Sequence, residues 1–317
     1  MQRSSRFREI FRNKSAQGLV IAHRGASSLA PENTLPAAAL GKASGAVAWE
    51  FDVHLSRDGV PVVIHDESLL RTTDVAEKYP EDPRASRGYL VADFDFNELM
   101  TLDAGSWFLN PAGVHRSASD FGTLDLISPA VSELIRRQSV RIPTLTEALQ
   151  WTRAEDWLAN VELKSYPHFD PHLTNAVLKA IAEMDTPENI WISSFDHREI
   201  RRVVDMAPWI ATAALCATPI GRPAQYVHEV LGVDALHVSA EVIGSRSLAY
   251  MQASGPQSLA LNEILELRAR GIPLLVYTVN ETELATHLFQ AGVPAIFSDV
   301  PARLSGMKWT QGANVHG

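Results

Sequence analysis

Between positions 23 and 66 three short groups, His23-Arg24-Gly25, Glu50-Phe51-Asp52 and His65-Asp66, each close an apolar run. Residues at the ends of neighbouring strands converge on one spot in a parallel barrel, so two imidazoles, a guanidinium and two carboxylates at such ends suggest a reaction centre more than a packing solution. Glu50 and Asp52 stand two apart in a strand and share one face, while Phe51 and Val53 take the other. Two carboxylates on one buried face repel unless a positive charge lies between them. A hard divalent cation, Mg²⁺ or Ca²⁺, is the economical solution because it favours oxygen ligands. A pair of salt bridges to Arg or Lys is the alternative. Glu162, in Asn160-Val161-Glu162-Leu163-Lys164, could add a third oxygen ligand, and Lys164 on the same strand face could meet an anionic substrate. A neutral imidazole can take a proton and an imidazolium can give one near physiological pH. His23 and His65 therefore suit the general base and general acid of an in-line displacement at phosphorus. Arg24 adds a rigid guanidinium suited to two phosphate oxygens. His54 shares the face of Glu50 and Asp52, where a structural or supporting role is favoured. Asp196 and Asp299 look like caps, Cys216 like a core thiol. Trp107, Phe108 and Tyr277 could line a pocket, although aromatic residues more often simply pack.

These residues need a frame to bring them together. Apolar runs at 19–22, 47–55, 60–64, 158–163, 189–194, 210–216, 235–238, 272–279 and 295–297 read as strands. Asp58-Gly59 marks a tight hairpin or sharp re-entry before the third of them. Helix-period segments at 35–44, 145–154, 172–184, 197–206, 259–270 and 281–291 lie between strands, with Thr144 or Thr146 and Asp196 as N-terminal caps and Gly271 and Gly292 as closures. Roughly eight strands with intervening helices make an α/β protein and suit a TIM (β/α)8 barrel; a doubly wound sheet has the same local pattern. From 66 to about 141 the alternation breaks down, which reads as an insertion with some helix, for instance over 131–138. A stretch this long is usually functional or separately packed. The barrel domain is expected over 18–306, preceded by a basic arm (1–17) and followed by a polar, frayed tail (307–317). Arg3, Arg6, Arg8, Arg12 and Lys14 in the arm read as solvated or as part of a short leading helix, ahead of contact with an anionic lipid surface.

The bulk composition narrows the function classes. An apolar fraction of 46% is enough for a substantial core, and a formal net charge of −9 argues against nucleic acid as the main partner. It leaves an anionic small substrate open, because a bound metal can reverse the local field. Cys216 is the one cysteine, so no intramolecular disulfide forms. With no apolar leader and no membrane-length apolar stretch, a cytoplasmic protein without a transmembrane segment is expected. A homo-oligomer is left open.

The chain resembles the glycerophosphodiester phosphodiesterase family. The matching segments are His23-Arg24-Gly25, Pro31-Glu32-Asn33-Thr34, Glu50-Phe51-Asp52-Val53, Asp58-Gly59, His65-Asp66 and Leu102 to Phe108, followed by Ile142-Pro143-Thr144-Leu145, Glu162-Leu163-Lys164, Ser194-Phe195, Thr278-Val279-Asn280 and Asp299-Val300-Pro301. Each is weak alone; their ordered combination is specific. The resemblance implies a TIM barrel with a small insertion after an early strand, and metal-dependent hydrolysis of glycerophosphodiesters to sn-glycerol 3-phosphate and an alcohol. It implies Glu50, Asp52 and Glu162 as ligands of one divalent cation, His23 and His65 as the acid/base pair, and Arg24 and Lys164 as phosphate contacts. Tyr277 stands where the family often has a tryptophan near the substrate. The segment between Phe108 and Ile142 is longer than the family leads one to expect, which bears on substrate size and mouth shape. Either water or the substrate's glycerol 2-hydroxyl serves as nucleophile. A lysophospholipase D acting on lysophospholipids is the nearest rival, and a non-catalytic glycerophosphodiester-binding barrel a more distant one. A sugar-phosphate isomerase or aldolase would want a Gly-rich phosphate loop after the late strands, which Asp299-Val300-Pro301 does not supply.

Overall fold

A computed structural model describes residues 5–13, 18–110, 115–165, 171–243 and 265–307. Strands buried on both faces read as near-continuous apolar runs, and these are what close here. Eight parallel strands form the barrel: β1 (Leu19–His23), β2 (Ala48–Leu55), β4 (Leu158–Leu163), β5 (Ile190–Ser194), β6 (Ala211–Cys216), β7 (Ala235–Ser239), β8 (Leu274–Tyr277) and β9 (Ala295–Ser298). β1 pairs with both β2 and β9, so the sheet has no free edge along its parallel strands. That closure selects the (β/α)8 barrel over the doubly wound sheet. The ninth apolar run, β3 (Pro61–Val63), is not a stave: it lies antiparallel against the C-terminal end of β2, past the stretch that pairs with β1, with Val63 opposite Val53. The turn between them uses Gly59 at φ +82, and Ser56 Oγ donates to Asp58 Oδ1 (2.6 Å) while accepting from Val60 N (2.9 Å).

Helix ends follow the local sequence. Thr144 and Glu147 form a capping box at the start of Leu145–Ala154, Asp196 caps His197–Met206, and Ser128 caps Pro129–Arg136. Gly292, after Thr282–Gln290, takes φ +94. The helix expected over 259–270 starts outside the described residues, and the expected tail (307–317) lies outside them from 308 onward.

Side chains of odd and even strand positions sort cleanly. Trp49, Phe51, Val53, Val161 and Ile192 pack outward beneath the helices, whereas Ile21, Ala48, Leu158, Trp191, Ala211, Ala213, Leu275 and Phe297 fill the barrel interior. The interior is closed at its N-terminal pole by the leading helix Arg6–Phe11. Phe7 and Phe11 are fully buried there, with ring centroids 5.1 and 5.7 Å from Trp191. Arg8 grips Asp234 with two hydrogen bonds (2.7 and 2.9 Å), Arg12 adds a third (2.8 Å), and Arg6 reaches Asp156 (2.8 Å). These basic residues thus form the short leading helix, the second of the two readings of this segment, with Arg8 and Arg12 paired to Asp234 and Arg6 to Asp156 at the surface. Phe7→Ala is expected to destabilise the protein by about 3–5 kcal/mol, the range for truncating a buried phenylalanine. Urea unfolding reads this, and an unchanged midpoint would show that the helix is not a plug.

The insertion leaves and rejoins the barrel at one place. Val63 N donates to Pro143 O (2.8 Å), and Val62 bridges to Thr144. Between these points a second apolar core forms from Leu69, Val75, Val91, Phe94, Leu99, Trp107, Phe108, Val131, Ile135 and Ile142, among others, leaning on Ala30 and Ala37. The helix expected at 131–138 is Pro129–Arg136.

Candidate active site

The turn leaving β1 is dictated by a close approach. Gly25 takes φ +81, and a Cβ placed on it would lie 2.5 Å from the backbone carbon of Ala37. Only glycine fits, and Gly25 N closes the turn on Ala22 O (3.2 Å). Arg24 is held at φ +57, a costly conformation for a non-glycine residue that often marks a functional site. Its backbone N–H donates to Glu50 Oε2 at 2.9 Å. Asn33, at φ +59, braces Asp52 twice: Nδ2 donates to Oδ2 (2.8 Å), and Oδ1 accepts from Asp52 N (3.2 Å).

Register then collects the acids. His23 lies beside Glu50 in the β1–β2 ladder, and Asp52 beside Glu162 in the β2–β4 ladder, all pointing inward at the C-terminal end of the barrel. One oxygen from each of Glu50, Asp52 and Glu162 falls within 4.8 Å of the others, and all three residues are buried. Burial, then Asp52 and Glu162, pushes Glu50 well above the usual carboxylate range. Burial also raises Glu162, against the pull of Lys164. Asp52 goes the other way: burial opposes its ionisation, but Lys164, His65 and Arg24 together hold it low. Lys164 Nζ stands 3.0 Å from Asp52 Oδ1 and 2.5 Å from Glu162 Oε1. Glu50 Oε1 is buried with no hydrogen-bond partner. An orphaned carboxylate oxygen facing two further acids is what a hard divalent cation would satisfy, so this donor set fits Mg²⁺ or Ca²⁺.

Both histidines reach this cluster, by different routes. His23 ends β1 as expected. His65 does not end a parallel stave; the β2–β3 hairpin overshoots the barrel mouth and returns, so that Ile64 N donates to Asp52 O (3.0 Å) and His65 arrives level with the acids. Each ring is anchored by Nδ1 on a carboxylate: His23 to Asp299 Oδ1 (2.8 Å), His65 to Asp66 Oδ1 (2.6 Å). Burial lowers both pKa values, His65 to about 4 despite Asp52, and His23 despite Asp299, which favours the uncharged form of each ring. His23 Nε2 is 3.9 Å from Glu50 Oε2.

A salt-bridge array absent from the sequence expectations lies behind these anchors. Glu32, buried, accepts from three guanidiniums: Arg24 Nη1 (2.7 Å), Arg71 Nη2 (2.7 Å) with Nη1 (3.0 Å), and Arg116 Nε (3.1 Å). Arg71 also clamps both oxygens of Asp66 (2.6 and 2.9 Å), while Arg116 holds Asp299. Asp299 is therefore the partner of His23 as well as an element end, a correction to its reading as a cap. Its position just beyond an apolar run, like that of His23, was the available clue. Arg71 lies five residues from Asp66, whereas Arg116 carries no local signal at all.

The remaining candidates line the rim. Tyr277, at the end of β8, donates to Cys216 O (2.9 Å) and meets Phe195 edge-on at 5.9 Å; Lys164 Nζ stands 5.9 Å from the Phe195 ring. These rings form an aromatic wall beside Lys164. His54 Nε2 bonds His65 O (3.0 Å), a supporting role, and Asp196 is a helix cap. Cys216 is buried, which pushes its thiol up to about 11.

A profile of the glycerophosphoryl diester phosphodiesterase family matches residues 23–303. A glycerophosphodiester phosphodiesterase from Caldanaerobacter subterraneus subsp. tengcongensis is 31% identical over 290 residues, covering 90% of this chain and 96% of its own. One from Bacillus altitudinis is 27% identical, covering 90% and 95%. Among solved structures, a phosphodiesterase from Oleispira antarctica in complex with the product sn-glycerol-3-phosphate superposes with a TM-score of 0.68 at 27% identity, covering 91% of this chain and 95% of that one. The matched range runs across the insertion from the end of β1 to the end of the barrel, and the chain belongs to the glycerophosphoryl diester phosphodiesterase family.

Proposed function

We propose that this protein hydrolyses glycerophosphodiesters to sn-glycerol 3-phosphate and an alcohol, with one divalent cation held by Glu50, Asp52 and Glu162 and with His23 and His65 as acid and base. The observation that carries the reading is three buried carboxylates within 4.8 Å of one another, flanked by two imidazoles that are each anchored at Nδ1. The named activity of the Caldanaerobacter relative and the product in the Oleispira structure support the substrate class.

When bound, Mg²⁺ or Ca²⁺ at the three acids would offset the charge of the diester and polarise its non-bridging oxygens. Lys164 and Arg24 bring two fixed positive charges to the same rim, where charge develops on phosphoryl oxygen in the transition state. With each Nδ1 committed to a carboxylate, Nε2 is the atom left for proton transfer. One ring takes the proton of the nucleophile and the other delivers one to the leaving alkoxide; water as nucleophile gives glycerol 3-phosphate directly, whereas the glycerol 2-hydroxyl gives a cyclic phosphate that water then opens with the same two rings in exchanged roles. The phosphodiester anion favours the charged form of whichever ring it approaches, which supplies the acid from two resting neutral imidazoles. Tyr277 and Phe195 offer an apolar face to the glycerol or the leaving group. A cytoplasmic setting and a role in breaking down glycerophospholipids complete the proposal. No helix among the described residues is long and apolar enough to cross a membrane.

A substrate panel with product identification tests this: glycerophosphocholine, glycerophosphoethanolamine, glycerophosphoglycerol, lysophosphatidylcholine and bis(p-nitrophenyl) phosphate. Glycerol 3-phosphate from the glycerophosphodiesters is the expected result. Lysophosphatidic acid from lysophosphatidylcholine, with the glycerophosphodiesters untouched, would move the assignment to a lysophospholipase D. Tight binding without turnover of any diester would leave a binding barrel.

A further inference from the structure

Arg116 belongs to the stretch between Phe108 and Ile142 that is longer than the family resemblance implies, yet its guanidinium reaches the end of β9. Nη2 donates to Asp299 Oδ1 at 2.5 Å and to Ser27 Oγ at 3.4 Å; Nη1 stands 3.5 Å from Asp299 Oδ2; Nε donates to Glu32 Oε2 at 3.1 Å. The side chain is 17% exposed and lies over the Phe121 ring, 5.6 Å from its centroid. Asp299 Oδ1 is the same atom that faces His23 Nδ1 at 2.8 Å.

A carboxylate clamped by a guanidinium stays ionised, and an ionised oxygen only accepts. His23 Nδ1 must then carry the hydrogen, which leaves Nε2 as the ring nitrogen facing the acids. Ser27 and Asn280 also donate to Asp299, but both are neutral. Arg116 is the one cationic side chain that the described residues place on this carboxylate. Its other arm, on Glu32, ties it to Arg71 and so to the anchor of His65. Arg116 therefore bridges the insertion to the hydrogen bond that orients His23.

We propose that Arg116 is a positioning residue for phosphodiester hydrolysis: by clamping Asp299 against Glu32 it fixes the orientation and tautomer of His23. The proposal rests on the acid/base reading of His23 given above. Steady-state hydrolysis of glycerophosphocholine with Mg²⁺ by Arg116→Ala should show kcat lowered about 10–100-fold, as for other residues that orient a site ligand, with KM nearly unchanged. Arg116→Lys, which keeps the charge but cannot span both acids, should fall between the two. In a His23→Ala background Arg116→Ala should cost nothing further, because the two act through one group. An additive loss, or Arg116→Ala turnover within about twofold of wild type, overturns the proposal. A readout without activity uses ¹⁵N-labelled histidine: His23 should show the Nδ1–H tautomer in wild type and a mixture in Arg116→Ala, or in Arg116→Gln if the alanine variant does not fold. An unchanged tautomer overturns the clamp. Wild-type protein inert toward every diester would instead refute the phosphodiesterase reading, and the imidazole spectra would still judge the clamp.

Discussion

His23→Ala and His65→Ala are each expected to lower kcat by about 10²–10⁴-fold, the range for removing a positioned general acid or base, with the protein still folded. The folded state should survive because neither ring is a core side chain of the barrel: His23 and His65 sit at the mouth, with side chains 12% and 31% exposed. The effect should fall on kcat more than on KM, since proton transfer matters in the transition state and contributes little to ground-state binding. The leaving group separates the two roles. Loss of the general acid should be severe for glycerophosphocholine, which expels a basic alkoxide, and slight for bis(p-nitrophenyl) phosphate, which expels a stabilised phenolate. Loss of the general base should be equally severe for both. Near-normal turnover of glycerophosphocholine by either variant would sink the assignment of that histidine.

Chelation is expected to abolish turnover, and Mg²⁺ or Ca²⁺ to restore it. The electrostatics of the acids also give a readout that does not need substrate. Glu50, Asp52 and Glu162 are brought together only by folding, so a cation that binds them in the folded protein and not in the unfolded chain must stabilise it. The gain is about 2.7 kcal/mol at a hundredfold excess over Kd, seen as a rise in Tm. Asp52→Asn and Glu162→Gln should lose that rise together with activity. Glu50→Gln is informative in sign. Burial and its neighbours push the Glu50 carboxyl well up, so ionising it is unfavourable where no cation is bound, and the amide keeps an oxygen for Arg24 N. Without cation this variant should melt no lower than wild type, yet gain nothing when cation is added. Full activity in chelator, or a Tm indifferent to cation in wild type, would remove the metal from the scheme.

Much of this was legible in the chain because it depends on local pattern. Eight runs such as Leu158–Leu163 are buried on both faces, and that burial writes itself as uninterrupted apolar sequence. The two-residue period of a strand alone puts Glu50 and Asp52 on one face and so raises the question of a cation. The helix caps at Thr144 and Asp196 are equally local. The leading helix was harder to judge: five basic residues hide Phe7 and Phe11, whose burial depends on Trp191 far along the chain.

The sequence by itself determined the alternation of strand and helix, the acids, histidines and cations available, and the faces they occupy. Tertiary structure decided whether the sheet closes, because pairing of β1 with both β2 and β9 is a long-range contact with no local signature. It decided that β3 turns back instead of continuing the barrel, carrying His65 to the level of Asp52. It also decided the partner of His23 and the arginine array behind both anchors; the partner of His65, Asp66, is its neighbour in the chain. Asp299 stands 276 residues from His23, and Arg116 and Glu32 are 84 apart; an ion pair forms wherever folding brings charges within reach, whatever their separation along the chain.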